Sequence, residues 1–319
     1  MRSTDNFHFH TILVATDLSQ SATAALRYAQ ALARVHRARI VITHVIDPVG
    51  YAFPSGLPGS LAADAAAREE VRRMEAETRR QGIQVQSEVQ SGIICERILQ
   101  SVRETHADLL ILGTSAHTSA GKAALGAVAR QLLARTPCPV LAIPAQAAKD
   151  VVADTAIHAA ADANFDQASG KAENHLPRAG VWPNVLIATD FSVASLEALD
   201  YAARVTCDHL TVLHAEPCRE PQLGGGCLER LRFLAPFNES HTLPVDHVVK
   251  QGEAAQLICA EAKRIQADLV VIGAPGEEFA ERDLSGSTVL QVITGVNCPV
   301  LCVPSTLASQ FDKVVEEVA

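Results

Sequence analysis

The sequence predicts two doubly wound α/β domains in tandem, each built on a five-stranded parallel sheet, and three observations carry that prediction. First, TILVATDLSQ (11–20) returns as NVLIATDFSV (184–193), with Asp17 and Asp190 at matching places. Second, later landmarks repeat in the same succession: His44 with His214, Gly92 with Gly252, ADLLILG (107–113) with ADLVVIG (267–273), and PCPVLAIP (137–144) with NCPVLCVP (297–304). Third, short aliphatic runs alternate with longer amphipathic ones in both copies, the pattern of parallel strands joined by right-handed helical crossovers. The offset between copies falls from 173 residues at the aspartates to 170 at the histidines and 160 from the glycines onward, so the second copy is 13 residues shorter. A repeat this long, occurring twice, is a duplicated domain, since solenoid units are much shorter.

In chain order, ILVAT opens the first copy as a strand, and SATAALRYAQALARVH follows with apolar residues at helical spacing. RIVITHV is the second strand. The loop DPVGYAFPSGLPGS (47–60), rich in Pro and Gly, is read as a flap beside the upper edge of the sheet, ahead of the long helix LAADAAAREEVRRMEAETRRQG. IQVQSEV, the helix IICERILQSVRETH, DLLILG, the helix LGAVARQLLART and PVLAIP complete the domain. In the second copy VLIAT, HLTVLHA, LPVDHVV, DLVVIG and PVLCVP are the strands, with helices expected at 192–206, 226–240, 252–266 and 286–296. The boundaries are therefore set at 1–146 and 182–319. Residues 147–181, rich in Ala, Asp and polar residues, match neither copy and are read as a linker, with a short helix suggested at 150–162.

Composition narrows the function classes. With 319 residues the chain has length for two cores, and its 48% apolar but only 4% aromatic content suits helices packed on aliphatic strands. A net charge of −9 argues against a nucleic-acid or anionic-membrane surface. No apolar run reaches the ~20 residues of a membrane span, and MRSTDNFHFH lacks the order of a signal peptide, so a cytoplasmic location is expected. The eight cysteines include no C-x-x-C. Six, at 95, 138, 207, 259, 298 and 302, fall inside helix-like or strand-like patterns and are read as buried small hydrophobes, while Cys218 and Cys227 are expected to be the exposed pair.

Ligands of open parallel sheets sit outside the carboxyl ends of the strands. Asp17 and Asp190 follow the first strand of each copy. The fourth strands are followed by GTSAHTSAGKAALGAV (113–128) and GAPGEEFAERDLSGST (273–288). The latter has Gly273, Gly276, Gly286 and Ser287 ahead of an amphipathic helix, whose first N–H groups can hold phosphate oxygens. This spacing is neither a Walker loop nor a dinucleotide fingerprint.

Together with TDFS, the histidine ending the second strand and the terminal CPV strand, the glycine pattern resembles the universal stress protein family in its tandem two-domain form. The resemblance covers both repeats and implies a Rossmann-like, adenine nucleotide alpha hydrolase-like fold. It further implies ATP or ADP as ligand, with magnesium held through the nucleotide, because the ATP-binding branch carries G-x2-G-x9-G-S/T. By position it implies that Asp190 contacts the ribose or the phosphate-bound metal, with Ala188 beside the base. Ala215 would line the adenine slot, Gly273 and Gly276 the ribose and phosphate path, and Gly286, Ser287 and the Thr288 backbone the phosphates. Asp17, Val45, Gly113 and Gly126 are weaker counterparts in the first copy. There Ala116 and Ala127 replace the middle glycine and the hydroxyl, losses worth roughly 0.5–1.5 kcal/mol each and a tenfold to hundredfold effect together.

Glu277, Glu278, Glu281 and Asp283, against Arg282 alone, cut the other way by crowding the phosphate path, whereas the first copy has Lys122 and no acid there. The resemblance also implies that PVLAI (139–143) pairs antiparallel with PVLCV (299–303), making an intramolecular pseudo-dimer; pairing of two chains into a homodimer stays open. So do several readings of the residues. The aspartates could serve to cap helices, the glycines to make turns, and the histidines to complete the core. The leading expectation is a non-enzymatic stress-response protein binding an adenine nucleotide in its second domain. A scaffold for unknown protein partners is the alternative. A slow ATPase is a third, with no general base identifiable.

Overall fold

The computed structural model describes residues 8–47, 59–114, 125–144, 147, 182–202, 207–216, 226–234, 244–274 and 287–305. In the first half β1 (Thr11–Ala15), α1 (Gln20–His36), β2 (Arg39–Ile46), α2 (Gly59–Arg80), β3 (Val85–Ser91), α3 (Ile94–Thr105), β4 (Leu109–Gly113), α4 (Ala127–Arg135) and β5 (Val140–Ile143) follow one another. The second half repeats the order with β6 (Trp182–Thr189), α5 (Val193–Ala202), β7 (Cys207–Glu216), α6 (Gly226–Leu234), β8 (Val245–Gln251), α7 (Ala254–Arg264), β9 (Leu269–Ala274), α8 (Thr288–Gly295) and β10 (Val300–Pro304). Every expected strand is present. The shortening of the second copy falls mainly on α6, which has 9 residues where α2 has 22. The flap at 47–60 lies almost wholly outside the described residues, as do the helix suggested at 150–162 and nearly all of the linker.

The strands form one sheet in the order β3-β2-β1-β4-β5-β10-β9-β6-β7-β8. Within each half all neighbours are parallel. The halves meet where β10 pairs antiparallel with β5, Leu301 opposite Leu141, which is the expected pseudo-dimer seam. Strands β1 and β5 are buried along their length, β4 up to Gly113, and all three read VLI-rich, as strands covered on both faces must. Side chains alternate between two cores. One holds α1, α2, α5 and α6 against the sheet, and the other holds α3, α4, α7 and α8 on the opposite face. Both run through the seam, and Tyr28 of α1 stacks on Trp182 at the start of β6, with ring centroids 6.4 Å apart.

The aspartate of each ADL motif has a structural task. Asp108 accepts from His10 N and Thr11 N, and Asp268 accepts from Asn184 N, so each fastens the entry of β1 or β6 to that of its neighbour. Of the cysteines, 95, 138, 298 and 302 are buried, 207, 259 and 227 are partly exposed, and Cys218 lies outside the described residues. No helix among the described residues is long and apolar enough to cross a membrane.

Candidate functional site

The TD-x-S segments make the same turn twice. Thr16 Oγ1 accepts from Leu18 N and Asp17 Oδ1 from Ser19 N, while Thr189 Oγ1 accepts from Phe191 N and Asp190 Oδ1 from Ser192 N, the last pair at 3.0 Å. Between the two acceptors Leu18 and Phe191 both take φ 64°, a left-handed conformation costing a bulky residue about 1 kcal/mol or more. Such strain persists because four side-chain acceptors over-determine the two turns. Ser19 is the N-cap of α1, accepting from Ala22 N, and Ser192 accepts from Ser195 N at the start of α5. The serines therefore do the capping that could have explained the aspartates. Each aspartate shapes its turn through one oxygen and remains exposed.

Partial shielding from water pushes the Asp190 carboxyl up, but hydrogen bonds from the Ser192 hydroxyl and N–H and from the Ser195 hydroxyl outweigh it. The net pKa lies below the ordinary carboxylate value, so Asp190 is an anion at neutral pH.

Around Asp190 lies a cavity of about 520 Å³. Ala188, Leu213, Ala215, Ile258, Ile272 and Val289 give it an apolar body, and Asp190, Ser192, Ser195, Ser287, Thr288 and Ser305 give it polar groups. It is bounded by the carboxyl ends of β6, β7 and β9 and by the first turns of α5, α7 and α8. The unsatisfied N–H groups and positive dipole ends of helix starts favour an anion there. Ser287 is the N-cap of α8 and accepts from Leu290 N at 3.3 Å, which leaves its O–H free to donate. Ala188, Asp190, Ala215, Gly273, Ser287 and Thr288, picked out by sequence, all line this one cavity. Gly276, Gly286 and the acidic stretch 277–283 lie outside the described residues. Ser192, Ser195 and Ser305 were missed as cavity groups. The first two look like helix-start serines in the sequence, and nothing local marks the third.

Gly273 owes its identity to packing. A Cβ there would stand 2.5 Å from the Ala194 carbonyl carbon, and at Gly113 it would stand 2.8 Å from that of Ser21. Both glycines let the end of the fourth strand press against the helix that follows the first. Gly126 is different: at φ −60° it is the N-cap of α4, and a Cβ would meet nothing within 4 Å.

The first half carries Asp17 and Gly113 at the same sheet edge. Val45, 8% exposed, stands there where Ala215 opens the second-half cavity. Ala116 and Lys122 lie outside the described residues. The histidines serve the fold, His214 buried and His44 partly so: Nδ1 of His44 donates to Thr16 O and Nδ1 of His214 to Thr189 O, each at 2.8 Å, linking the second strand of each half to the end of the first.

The fold defines a tandem Rossmann-like α/β protein with a cavity at one carboxyl-end crevice. The sequence pattern of the universal stress protein family matches residues 8–144 and 182–304, and the chain belongs to that family. It is 26% identical over 317 residues to a universal stress protein of Mycolicibacterium smegmatis, covering 92% of this chain and 96% of that one. A universal stress protein of Thermus aquaticus is 32% identical over 140 residues, 42% of this chain and 98% of its own. Among solved structures, a universal stress protein of Archaeoglobus fulgidus superposes with TM-score 0.68 at 20% identity, over 92% of this chain and 98% of that one.

Proposed function

We propose that the second-half cavity binds an adenine nucleotide, ATP or ADP, and that the protein acts as a non-enzymatic stress-response factor whose ligand state sets its conformation or its partners. One observation carries the reading: residues chosen for base, ribose and phosphate contacts converge on a single cavity with an apolar slot, an ionised carboxylate and three helix starts. The slot of Ala188, Leu213, Ala215 and Ile272 suits a purine face, Asp190 can accept from ribose hydroxyls, and Ser287 and Thr288 meet phosphate oxygens at the start of α8. The same carboxylate and serine oxygens fit magnesium, an oxygen-preferring ion that would arrive with the nucleotide and offset phosphate charge. Val45 in place of Ala215 supports assigning the ligand to the second half.

Calorimetric titration of the full chain with ATP and with ADP, with and without magnesium, tests this directly. Saturable binding of one equivalent is expected; no heat at roughly hundred-micromolar ligand removes the nucleotide. Ala215→Val, which copies the first half, should weaken binding at least tenfold, whereas Val45→Ala should leave the second-half site unchanged. Phosphate release above that of Asp190→Asn would favour a slow ATPase instead.

A further inference from the structure

His214 and Glu216 alternate with the cavity residues Leu213 and Ala215 along β7, so they point to the other face of the sheet, the one that α5 and α6 cover. Cys227, in the first turn of α6, comes up to them. One ring nitrogen of His214, a carboxylate oxygen of Glu216 and Sγ of Cys227 all lie within 4.8 Å of one another. The imidazole keeps one ring nitrogen for coordination. Because a carbonyl only accepts, its Nδ1 carries the hydrogen given to Thr189 O, and Nε2 keeps a lone pair. That is the backbone-anchored arrangement in which metal-ligating histidines are held. The ring is 8% exposed and packs on Phe191 at 4.3 Å, and Arg230 of α6 lies 4.4 Å over that same Phe191, fixing the helix that brings Cys227.

Comparison with the first half isolates what is extra. His44 makes the same carbonyl bond from the same register position, opposite Val89 as His214 is opposite Val249. Two residues on, however, buried Ile46 takes the place of Glu216. The role of the histidine in the fold is thus met without an acid or a thiol, yet in the second half both converge on it.

We propose that His214, Glu216 and Cys227 form a zinc-class divalent cation site that ties α6 to β7, on the face of the sheet that α5 and α6 cover. A thiol, an imidazole and a carboxylate are a borderline-soft donor set that suits zinc and does not suit magnesium or calcium. Zinc–donor distances of about 2.0–2.3 Å would close the three donors around the ion. Three protein ligands leave a fourth position for water or an exogenous donor.

The test uses the full chain, stripped by chelator and titrated with zinc against a chromophoric competitor, then with cobalt to read thiolate-to-metal charge transfer. Wild type should bind one equivalent of zinc and show the thiolate band. Cys227→Ser should lose the band and weaken zinc at least tenfold, and Glu216→Gln should weaken it at least tenfold with the band retained. Both alter partly exposed side chains, and circular dichroism confirms their folding. No stoichiometric zinc at tens of micromolar, equal binding by Cys227→Ser, or a band that disappears with Cys218→Ser while persisting in Cys227→Ser would each overturn the assignment.

Discussion

Replacing Gly273 by alanine tests how the cavity is held open. The new Cβ would stand 2.5 Å from the Ala194 carbonyl carbon, 2.6 Å from its oxygen and 2.7 Å from Ser195 N, where ordinary contact begins at 3.4 Å. All three are backbone atoms in the first turn of α5, so no side chain can rotate away. Either that turn or β9 must retreat by about 0.9 Å (3.4 less 2.5). The strand is enclosed between β10 and β6, so the helix start is the part that moves. Forced overpacking of this kind costs about 1–3 kcal/mol, and rigid backbone on both sides places it near 2–3. The displacement also reaches the ligand groups. Ser195 N bonds Ser192 Oγ, Ser195 Oγ bonds Ser192 O, and Asp190 is bonded to Ser192 N, so the carboxylate moves with the helix. Nucleotide affinity should fall at least tenfold. Urea unfolding followed by circular dichroism measures the stability term, and calorimetry the binding term. Gly126→Ala is the control: its open surroundings and ordinary φ bring no clash, and the entropy lost by the unfolded chain is offset by alanine being the poorer N-cap, so the net change should stay within about 1 kcal/mol of zero. The packing argument fails if Gly273→Ala unfolds within about 0.5 kcal/mol of wild type, or if Gly126→Ala costs as much.

Other perturbations follow from the same geometry. Glu261 is fully buried yet bonded to Arg264 Nε at 3.0 Å and Lys250 Nζ at 2.6 Å, and the Arg264 hydrogen bond is the main reason its carboxyl lies below the ordinary range. Glu261→Gln should cost about 1–2 kcal/mol, less than breaking a sealed pair, because both cations can turn to water. As a depressed folded pKa requires, that difference should be full above the unfolded value of about 4.3 and shrink as pH falls through the folded one; a gap persisting in urea titrations at acid pH would contradict this. Burial pushes Cys302 and Cys298 up to about 12 and Cys138 to about 11, so in mass-spectrometric alkylation at pH 8 all three should react only on unfolding. Native labelling of Cys302 at the rate of Cys227 would refute that. Ser287→Ala removes the acceptor for Leu290 N and should lower the unfolding free energy by about 1 kcal/mol, with nucleotide binding weakened too; unchanged urea midpoints would deny the cap.

Much of this was legible because a duplicated sequence supplies its own comparison. Matching His44 with His214 and Gly92 with Gly252 placed every strand, since register follows from alternation and from the residues opposite, and located the shortening that became α6. The cavity was legible at Asp190, Ala215 and Ser287 because the residues that follow parallel strands are brought together by topology alone. What stayed hidden depended on contacts between distant elements. Gly273 looked like a ligand-approach glycine, and its steric reason emerges only when β9 meets α5. The buried Glu261 triad joins α7 to β8 where the first half has the neutral pair Gln90 and Ser101, bonded at 2.8 Å, and no local pattern distinguishes the two solutions. The approach of Cys227 to His214 is likewise set by where a short helix returns to the sheet.

The antiparallel meeting of β5 with β10 has a consequence for how such a molecule behaves at low copy number. Had the two halves been separate chains, joining their sheets would be a second-order event that fails on dilution. Carried by one chain, it becomes first-order, with an effective concentration set by the connecting segment. A cell making a few molecules would obtain the same fully paired sheet as one making thousands. The sheet ends instead at β3 and β8, VQSEVQS and VDHVVKQ, whose polar and charged side chains discourage a further strand from adding. The joining of the two half-sheets is thereby independent of the chain's abundance.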